Sequence, residues 1–210
     1  RGDFNGLDGK EKRNLQNKIY ANTNSDALAD EIRKARKRTN GVIGVNIMHA
    51  LTDYPILVET AIQENVDLII CGAGIVRDLP RYLGGKKIAL VPIVSSARVA
   101  KLIVKSWTQI GHIPDAIVVE GPKAGGHLGY SLEQLGDSDF VSYGLERILS
   151  DVIQEVGPGI PVIAAGGIYT GKDIYNILSH GAAGVQMATR FVTTKECDAD
   201  EKFKQTYIDS

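Results

Sequence analysis

The sequence has little cysteine, methionine and tryptophan, and no excess of either charge. Its two cysteines, Cys71 and Cys197, stand far apart without metal-ligand spacing, which argues against a disulfide framework and fits a reducing compartment. The formal net charge of −1 gives no electrostatic footprint for nucleic acid. All apolar runs are shorter than ten residues, far below the roughly 20 that a bilayer helix needs. We therefore expect a cytoplasmic protein without nucleic-acid or membrane partners.

The beginning of the chain is polar. Residues 1–14 contain three glycines and little apolar periodicity, which predicts a loop. Helical signals follow from Leu15, and Ser25 is a candidate N-cap for a second helical segment. The basic residues between 33 and 38 could be read as a nucleic-acid patch, but at the end of a helix cations complement the dipole and face water. We favour the solvated helix face.

From residue 42 onward, short β-branched runs alternate with amphipathic helical patterns. Runs of Ile and Val suit strands that are buried on both faces of a parallel sheet. Residues 145–156 and 99–110 repeat the apolar spacing of helices that pack on such a sheet, and Thr170 with Asp173 predicts a capping box. The predicted strands are 42–47, 68–71, 88–94, 116–119, 162–165 and 184–187.

A parallel sheet of βα units is either doubly wound or closed into a barrel. Successive strand starts are about 20 to 45 residues apart, which brackets the roughly 31 per unit of a typical (β/α)₈ domain. Polar or glycine residues also end every strand instead of clustering at one switch point. We predict a TIM-type (β/α)₈ barrel with six βα units visible, a single domain over residues 1–210 that is incomplete at its beginning.

A glycine-rich loop with one imidazole follows the strand at 116–119. Gly125 and Gly126 remove the side chains that would keep a flat ligand off the backbone. His127 is beside them, and an unperturbed histidine pKa of about 6.5 suits proton transfer near neutral pH. The alternative is a surface loop with an incidental histidine, because loops are where exposed histidines normally fall.

Two further loops follow the last two predicted strands. Gly166 and Gly167 follow one strand, and Gln186 to Thr189 ends the other, so bare amides and a hydroxyl come together at one edge. In barrels this is the usual phosphate site. Tight turns that need glycine for positive φ would explain the first pair alone. With Thr189 and the loop at Gly125 added, we favour the phosphate site.

Four segments in this order resemble the nitronate monooxygenase family: GVN at 44–46, EGPKAGGHLG at 120–129, PVIAAGGI at 161–168 and GVQMATRF at 184–191. That family, once called 2-nitropropane dioxygenases, also includes flavin-dependent enoyl-acyl-carrier-protein reductases and related NADH:quinone reductases. The resemblance runs from about residue 15 to about residue 205. It implies an FMN-binding TIM barrel, with His127 in the position of the catalytic histidine and Asn46 at the flavin ring.

The glycine loops and the resemblance together predict a set of cofactor-binding residues. The resemblance places Gln186 to Thr189 at the phosphate end of FMN. The set is Asn46, Glu120, Gly125, Gly126, Gly166, Gly167, Gln186, Met187, Ala188 and Thr189.

Three residues depart from the family pattern. Glu120 stands where many monooxygenases have glutamine and some enoyl reductases have glutamate, Lys123 replaces a common glutamate, and Ala188 replaces a glycine. The family's first strand beneath the flavin and most of the region after the last barrel strand are also missing. We expect an FMN-dependent nitronate monooxygenase that oxidises alkyl nitronates with O₂, with His127 as acid or base.

Other functions remain open. One alternative is an enoyl-thioester or quinone reductase that uses NAD(P)H, and another is a non-catalytic barrel that binds phosphate ligands. A homodimer is an open alternative to a monomer.

Overall fold

The computed structural model describes residues 8–209. By its internal contacts the chain divides into two compact units, one up to Leu90 and one from Val91 onward. Within the described range, none of the helices has both the length and the apolar character needed to cross a bilayer.

Strands and helices alternate along both units, and every predicted strand is present with its ends shifted by at most two residues. The strands are β1 (Gly44–Met48), β2 (Leu68–Gly72), β3 (Ala89–Val94), β4 (Ile117–Glu120), β5 (Val162–Ala165) and β6 (Gly184–Gln186). In the first unit β1 pairs in parallel with β2. In the second unit β3, β4, β5 and β6 pair in parallel in that order. The fold is that of an incomplete (β/α)₈ barrel, as predicted.

The helices form the layer that covers the strands. They are α1 (Gly9–Arg38), α2 (Tyr54–Gln63), α3 (Ala97–Thr108), α4 (Leu132–Gly136), α5 (Ser138–Val156), α6 (Gly171–Ser179), α7 (Thr189–Val192) and α8 (Glu201–Ile208), with a 3₁₀ turn at Leu79–Tyr82. Trp107 of α3 and Leu149 of α5 are fully buried, as the apolar periodicity predicts. The helix predicted over residues 99–110 is too long at its C-terminal end, because α3 ends at Thr108 and Ile110 lies in an exposed turn.

The predicted loop over residues 1–14 is wrong from Gly9 onward, and residues 1–7 lie outside the described range. A single helix of 30 residues begins at Gly9. Asp8 caps it by accepting hydrogen bonds from the N–H groups of Lys10 and Glu11, and Glu11 accepts one from the N–H of Asp8. This capping box fixes the start of a helix that has almost no apolar face. Ser25 lies inside the helix and does not cap it.

Polar contacts attach α1 to its own unit. The hydroxyl of Ser25 is 2.7 Å from that of Thr60 in α2. Arg33 pairs with Glu64 at 2.5 Å, and Arg36 pairs with Asp67 at 3.1 Å. The basic residues at the end of this helix therefore lie at the surface, as expected, but two of them also form ion pairs with the neighbouring chain segments.

The α6 helix shows the predicted capping box. The Oγ1 of Thr170 accepts a hydrogen bond from the N–H of Asp173, and the Asp173 carboxylate accepts bonds from the N–H and hydroxyl of Thr170. It also accepts one from the N–H of Tyr169. These bonds lower the pKa of Asp173. The same carboxylate thus fixes both the start of α6 and the end of the loop that leaves β5.

Candidate functional site

The register of β4, β5 and β6 aligns three residues at the carboxyl ends of the strands. Glu120 is opposite Ala165, and Ala165 is opposite Gln186. Because paired positions on neighbouring parallel strands point to the same face of a sheet, these three side chains share one side. The row lies at the end of the strands where barrel enzymes build their sites.

Three loops extend from this row and enclose a cleft of about 240 Å³ within the second unit. The loops follow β4, β5 and β6 in turn, so each contributes the residues just beyond its strand. The structure brings together eight of the predicted cofactor-binding residues in the lining of this cleft: Glu120, Gly125, Gly166, Gly167, Gln186, Met187, Ala188 and Thr189.

Two of these glycines are required by the backbone itself. Gly166 and Gly167 have φ values of +97° and +76°, a region that side chains disfavour. A Cβ at Gly166 would also lie 3.0 Å from the carbonyl oxygen of Gly121, and one at Gly167 would lie 2.8 Å from the Cβ of Lys123. The alternative explanation, a tight turn that needs glycine for positive φ, is therefore sufficient for Gly166 and Gly167.

Gly125 is different. Its φ lies outside the left-handed region, and of the described atoms none is within 4 Å of the position that a Cβ would occupy. Neither backbone conformation nor packing requires glycine here, although the residue lines the cleft. The absence of a side chain instead keeps this part of the cleft open, as a ligand close to the backbone would need.

Two polar side chains of the row are poorly solvated. Burial raises the pKa of the Glu120 carboxyl group, since removal of water disfavours its charged form. The Oε1 of Gln186 is buried and has no hydrogen-bond partner in residues 8–209. A buried amide oxygen without a partner is costly, so Gln186 offers a hydrogen-bonding group to a bound molecule.

Tyr169 and Lys123 are not among the site residues predicted from the sequence. Both line the cleft. The guanidinium of Arg190 lies 4.9 Å from the centre of the Tyr169 ring, and its Nη1 donates a 2.8 Å hydrogen bond to the Tyr169 carbonyl. The signal that could have found both residues is position, because each lies in a loop that directly follows a barrel strand.

His127 and Gly126 lie in the loop after Gly125 but outside the lining of the cleft. The His127 side chain is exposed. Downstream, this loop is tied back to the strands, because the Tyr130 hydroxyl donates a hydrogen bond to the carbonyl of Glu120. Asn46 is an exposed residue of β1 in the other unit. The predicted roles of His127, Gly126 and Asn46 stay predictions.

Cys71 is a buried residue of β2 in the first unit. Burial raises the pKa of its thiol to about 12, so it is a packed thiol and not a reactive thiolate. In the part of the chain that the structure describes, no group of three His, Cys, Asp or Glu side chains is placed to bind a metal ion.

Residues 14–210 match the nitronate monooxygenase family. The chain belongs to this family. A curated member, the probable nitronate monooxygenase of Staphylococcus aureus strain NCTC 8325, is 38% identical over 96 residues, which are 46% of this chain and 26% of the relative. The match confirms the resemblance carried by the four sequence segments.

A second curated relative aligns with a longer part of this chain. The (3aS,4S,5R,7aS)-5-hydroxy-7a-methyl-1-oxo-octahydro-1H-indene-4-carboxyl-CoA dehydrogenase of Rhodococcus jostii RHA1 is 31% identical over 181 residues, 86% of this chain and 46% of the relative. The chain thus spans about half the length of this relative.

Solved structures show the same fold. FabK from Thermotoga maritima aligns with a TM-score of 0.71 and 30% identity, over 86% of this chain and 52% of FabK. The nitroalkane oxidase of Streptomyces ansochromogenes aligns with a TM-score of 0.68 and 21% identity, over 86% of this chain and 59% of the oxidase. The latter similarity concerns the fold alone.

The raised pKa of Glu120 predicts a pH-dependent stability for the ligand-free chain. A carboxyl group whose pKa is higher in the folded than in the unfolded state stabilises the fold below its unfolded pKa, about 4.3, and loses that contribution as pH rises through the folded pKa. Glu120→Gln should therefore unfold at higher urea concentration than the parent at pH 8, with the difference shrinking toward pH 4.

Urea unfolding at a series of pH values measures this effect. Glu196→Gln, which removes an exposed carboxylate outside the cleft, is the control and should not show the same pH-dependent gain. A Glu120→Gln variant that is less stable than the parent at pH 8 would contradict the assigned cause, because it would mean that the charged carboxylate is favoured in the fold.

Proposed function

We propose that the protein is an FMN-dependent oxidoreductase that oxidises alkyl nitronates with O₂. The observation that carries the proposal is the cleft at the carboxyl ends of β4, β5 and β6, in a chain that belongs to the nitronate monooxygenase family. The cleft collects the glycine loops and the Gln186–Thr189 segment into one site, as a barrel that binds a phosphorylated cofactor requires.

The residues of the cleft fit FMN. Gly125 leaves the backbone accessible to a flat ring, and the buried Oε1 of Gln186 lacks a hydrogen-bond donor among the described residues, which a ring N–H group would supply. The backbone at Gly167 and the start of α7 at Thr189 are in the same lining, and main-chain N–H groups at such positions bind phosphate. The sequence has no dinucleotide fingerprint, which favours FMN over FAD.

Bound FMN would accept electrons from the substrate, and the chain itself must handle the proton. The group proposed for this role is the imidazole of His127, which follows the two glycines of the β4 loop. On a neutral nitroalkane it would remove the proton from the carbon next to the nitro group. On a nitronate, which has already lost that proton, it would orient the anion and stabilise its charge.

A thioester substrate is the second candidate function. It is favoured by the relative in Rhodococcus jostii, which acts on a carboxyl-CoA compound and covers 86% of this chain, whereas the nitronate monooxygenase relative covers 46%. In an NAD(P)H-dependent enoyl-thioester reductase, His127 would deliver a proton to the α-carbon. A non-catalytic phosphate-binding barrel is the remaining alternative, and it predicts a protein without turnover.

The chain should bind FMN, and Gly125→Val should lose it while the fold is kept. The Cβ of the new side chain would have no described atom within 4 Å, so the side chain would extend into the open part of the cleft. Acid release of the chromophore and chromatography identify the flavin, and circular dichroism reports the fold. Gly159→Val, in an exposed loop with equal space around it, is the matched control. FAD in the parent, or unchanged flavin content in Gly125→Val, would contradict the proposal.

Anaerobic mixing with NADH separates the two reactions. A nitronate monooxygenase should leave its flavin oxidised with NADH and become reduced by a nitronate, and we expect this result. Rapid bleaching of the flavin absorbance by NADH would instead identify a reductase and make the thioester the better candidate. Absence of any flavin reduction by nitronate, nitroalkane or NADH would favour the non-catalytic barrel.

His127→Ala should keep the fold and the flavin but lose about 10² to 10⁴ in turnover, the usual effect of removing a positioned acid or base. Comparing kcat/KM on a nitroalkane and on its preformed nitronate tests the role. A base predicts the larger loss on the nitroalkane, since the nitronate has no proton left to remove. His180→Ala, at the exposed end of α6, is the control. Equal activity of His127→Ala and the parent on both substrates would exclude His127 from the mechanism.

A further inference from the structure

Lys123 is held at the cleft by a tight turn that follows β4. The carbonyl of Gly121 accepts a 3.1 Å hydrogen bond from the N–H of Ala124, and the N–H of Gly121 donates a 2.8 Å bond to the carbonyl of Ala165 in β5. Pro122 occupies the second position of this turn, where its fixed φ is favourable. The backbone of Lys123 is thus fixed relative to the strand ends that build the cleft.

The stem of Lys123 lies against the glycine pair of the next loop. A Cβ placed on Gly167 would be 2.8 Å from the Cβ of Lys123 and 3.0 Å from its Cδ. A Cβ on Gly166 would similarly meet the N–H nitrogen of Ala124 at 3.0 Å. Three methylene groups of the lysine therefore run along this backbone segment, and Lys123 is an exposed residue of the cleft lining.

Lys123 forms no ion pair with another residue that the structure describes. The carboxylate of Asp173 in α6, a residue that lines a second cleft together with Lys123, already accepts three hydrogen bonds from Tyr169 and Thr170. Arg190, another cation near the cleft, donates a hydrogen bond to the Tyr169 carbonyl and lies over the Tyr169 ring.

We propose that the ammonium group of Lys123 binds the phosphate of the flavin cofactor and adds a side-chain cation to the main-chain groups of the glycine loop. The inference rests on the proposed function for the identity of the ligand. A phosphate monoester carries between one and two negative charges near pH 7, and lysine serves such groups as a compact point charge.

The phosphate-specific part of the affinity tests the inference. FMN and riboflavin share the ring system and differ in the phosphate, so their dissociation constants for the flavin-free chain are compared by quenching of flavin fluorescence. Lys123→Met keeps the aliphatic stem and removes the charge. It should weaken FMN binding about tenfold to a hundredfold, as expected for a hydrogen bond to a charged group, and leave riboflavin binding unchanged.

Two controls isolate the charge. Lys123→Arg retains the cation and should bind FMN nearly as the parent does. Lys105→Met changes the net charge equally at an exposed position of α3 away from the cleft, and it should leave both dissociation constants as they are. Added salt should weaken FMN binding more in the parent than in Lys123→Met, because salt screens an exposed ion pair.

The outcomes distinguish failure of this inference from failure of the proposed function. A parent that binds neither flavin overturns the proposed function and this inference with it. A parent that binds FMN, together with a Lys123→Met variant that loses FMN and riboflavin equally, shows that the lysine stem packs the cleft and overturns the inference alone. Unchanged FMN affinity in Lys123→Met also overturns the inference and leaves the proposed function intact.

Discussion

The parallel register of β4, β5 and β6 is the constraint on which the candidate site depends. It places Glu120, Ala165 and Gln186 in one row, so the loops that follow them leave the sheet at the same level and enclose a common cleft. A shift of one residue in any of these strands would turn its row member to the opposite face. Buried Ile and Val residues of β4 and β5 favour this register, and the site is a consequence of the strand pairing.

Backbone contacts carry this alignment into the loops. The turn after β4 is bonded to β5 through Gly121 and touches Gly166, and Gly166 and Gly167 adopt φ values that only glycine adopts readily. These glycines serve the structure first, and they leave main-chain groups accessible as a result. Gly125 has neither a positive φ nor a close packing contact, so it is the position whose small size is best explained by a ligand.

Most of the fold could be predicted from the sequence because local composition indicates its strands. Each strand is a β-branched run that ends at glycine or polar residues. The start of α1 at Gly9 could not be predicted from apolar periodicity. The helix has almost no apolar face, and charged and polar contacts attach it to its unit instead. Glu120 and Gln186 were predicted as site residues from family resemblance. Their alignment follows from strand register, which depends on contacts between segments distant in sequence. The positions of Lys123 and Tyr169 depend on loop conformation in the same way.

In the proposed function, different parts of the second unit would bind the cofactor and act on the substrate. The cleft is formed by strand ends and by glycine turns whose backbone conformation the fold itself requires. His127 instead lies in an exposed loop, anchored upstream by the turn at Gly121 and downstream by the hydrogen bond from Tyr130 to Glu120. Because His127 and Leu128 lie outside the lining of the cleft and are not buried, their side chains can vary without loss of the cleft. The proposed division of roles would be compatible with sequence relatives that carry names as different as nitronate monooxygenase and carboxyl-CoA dehydrogenase.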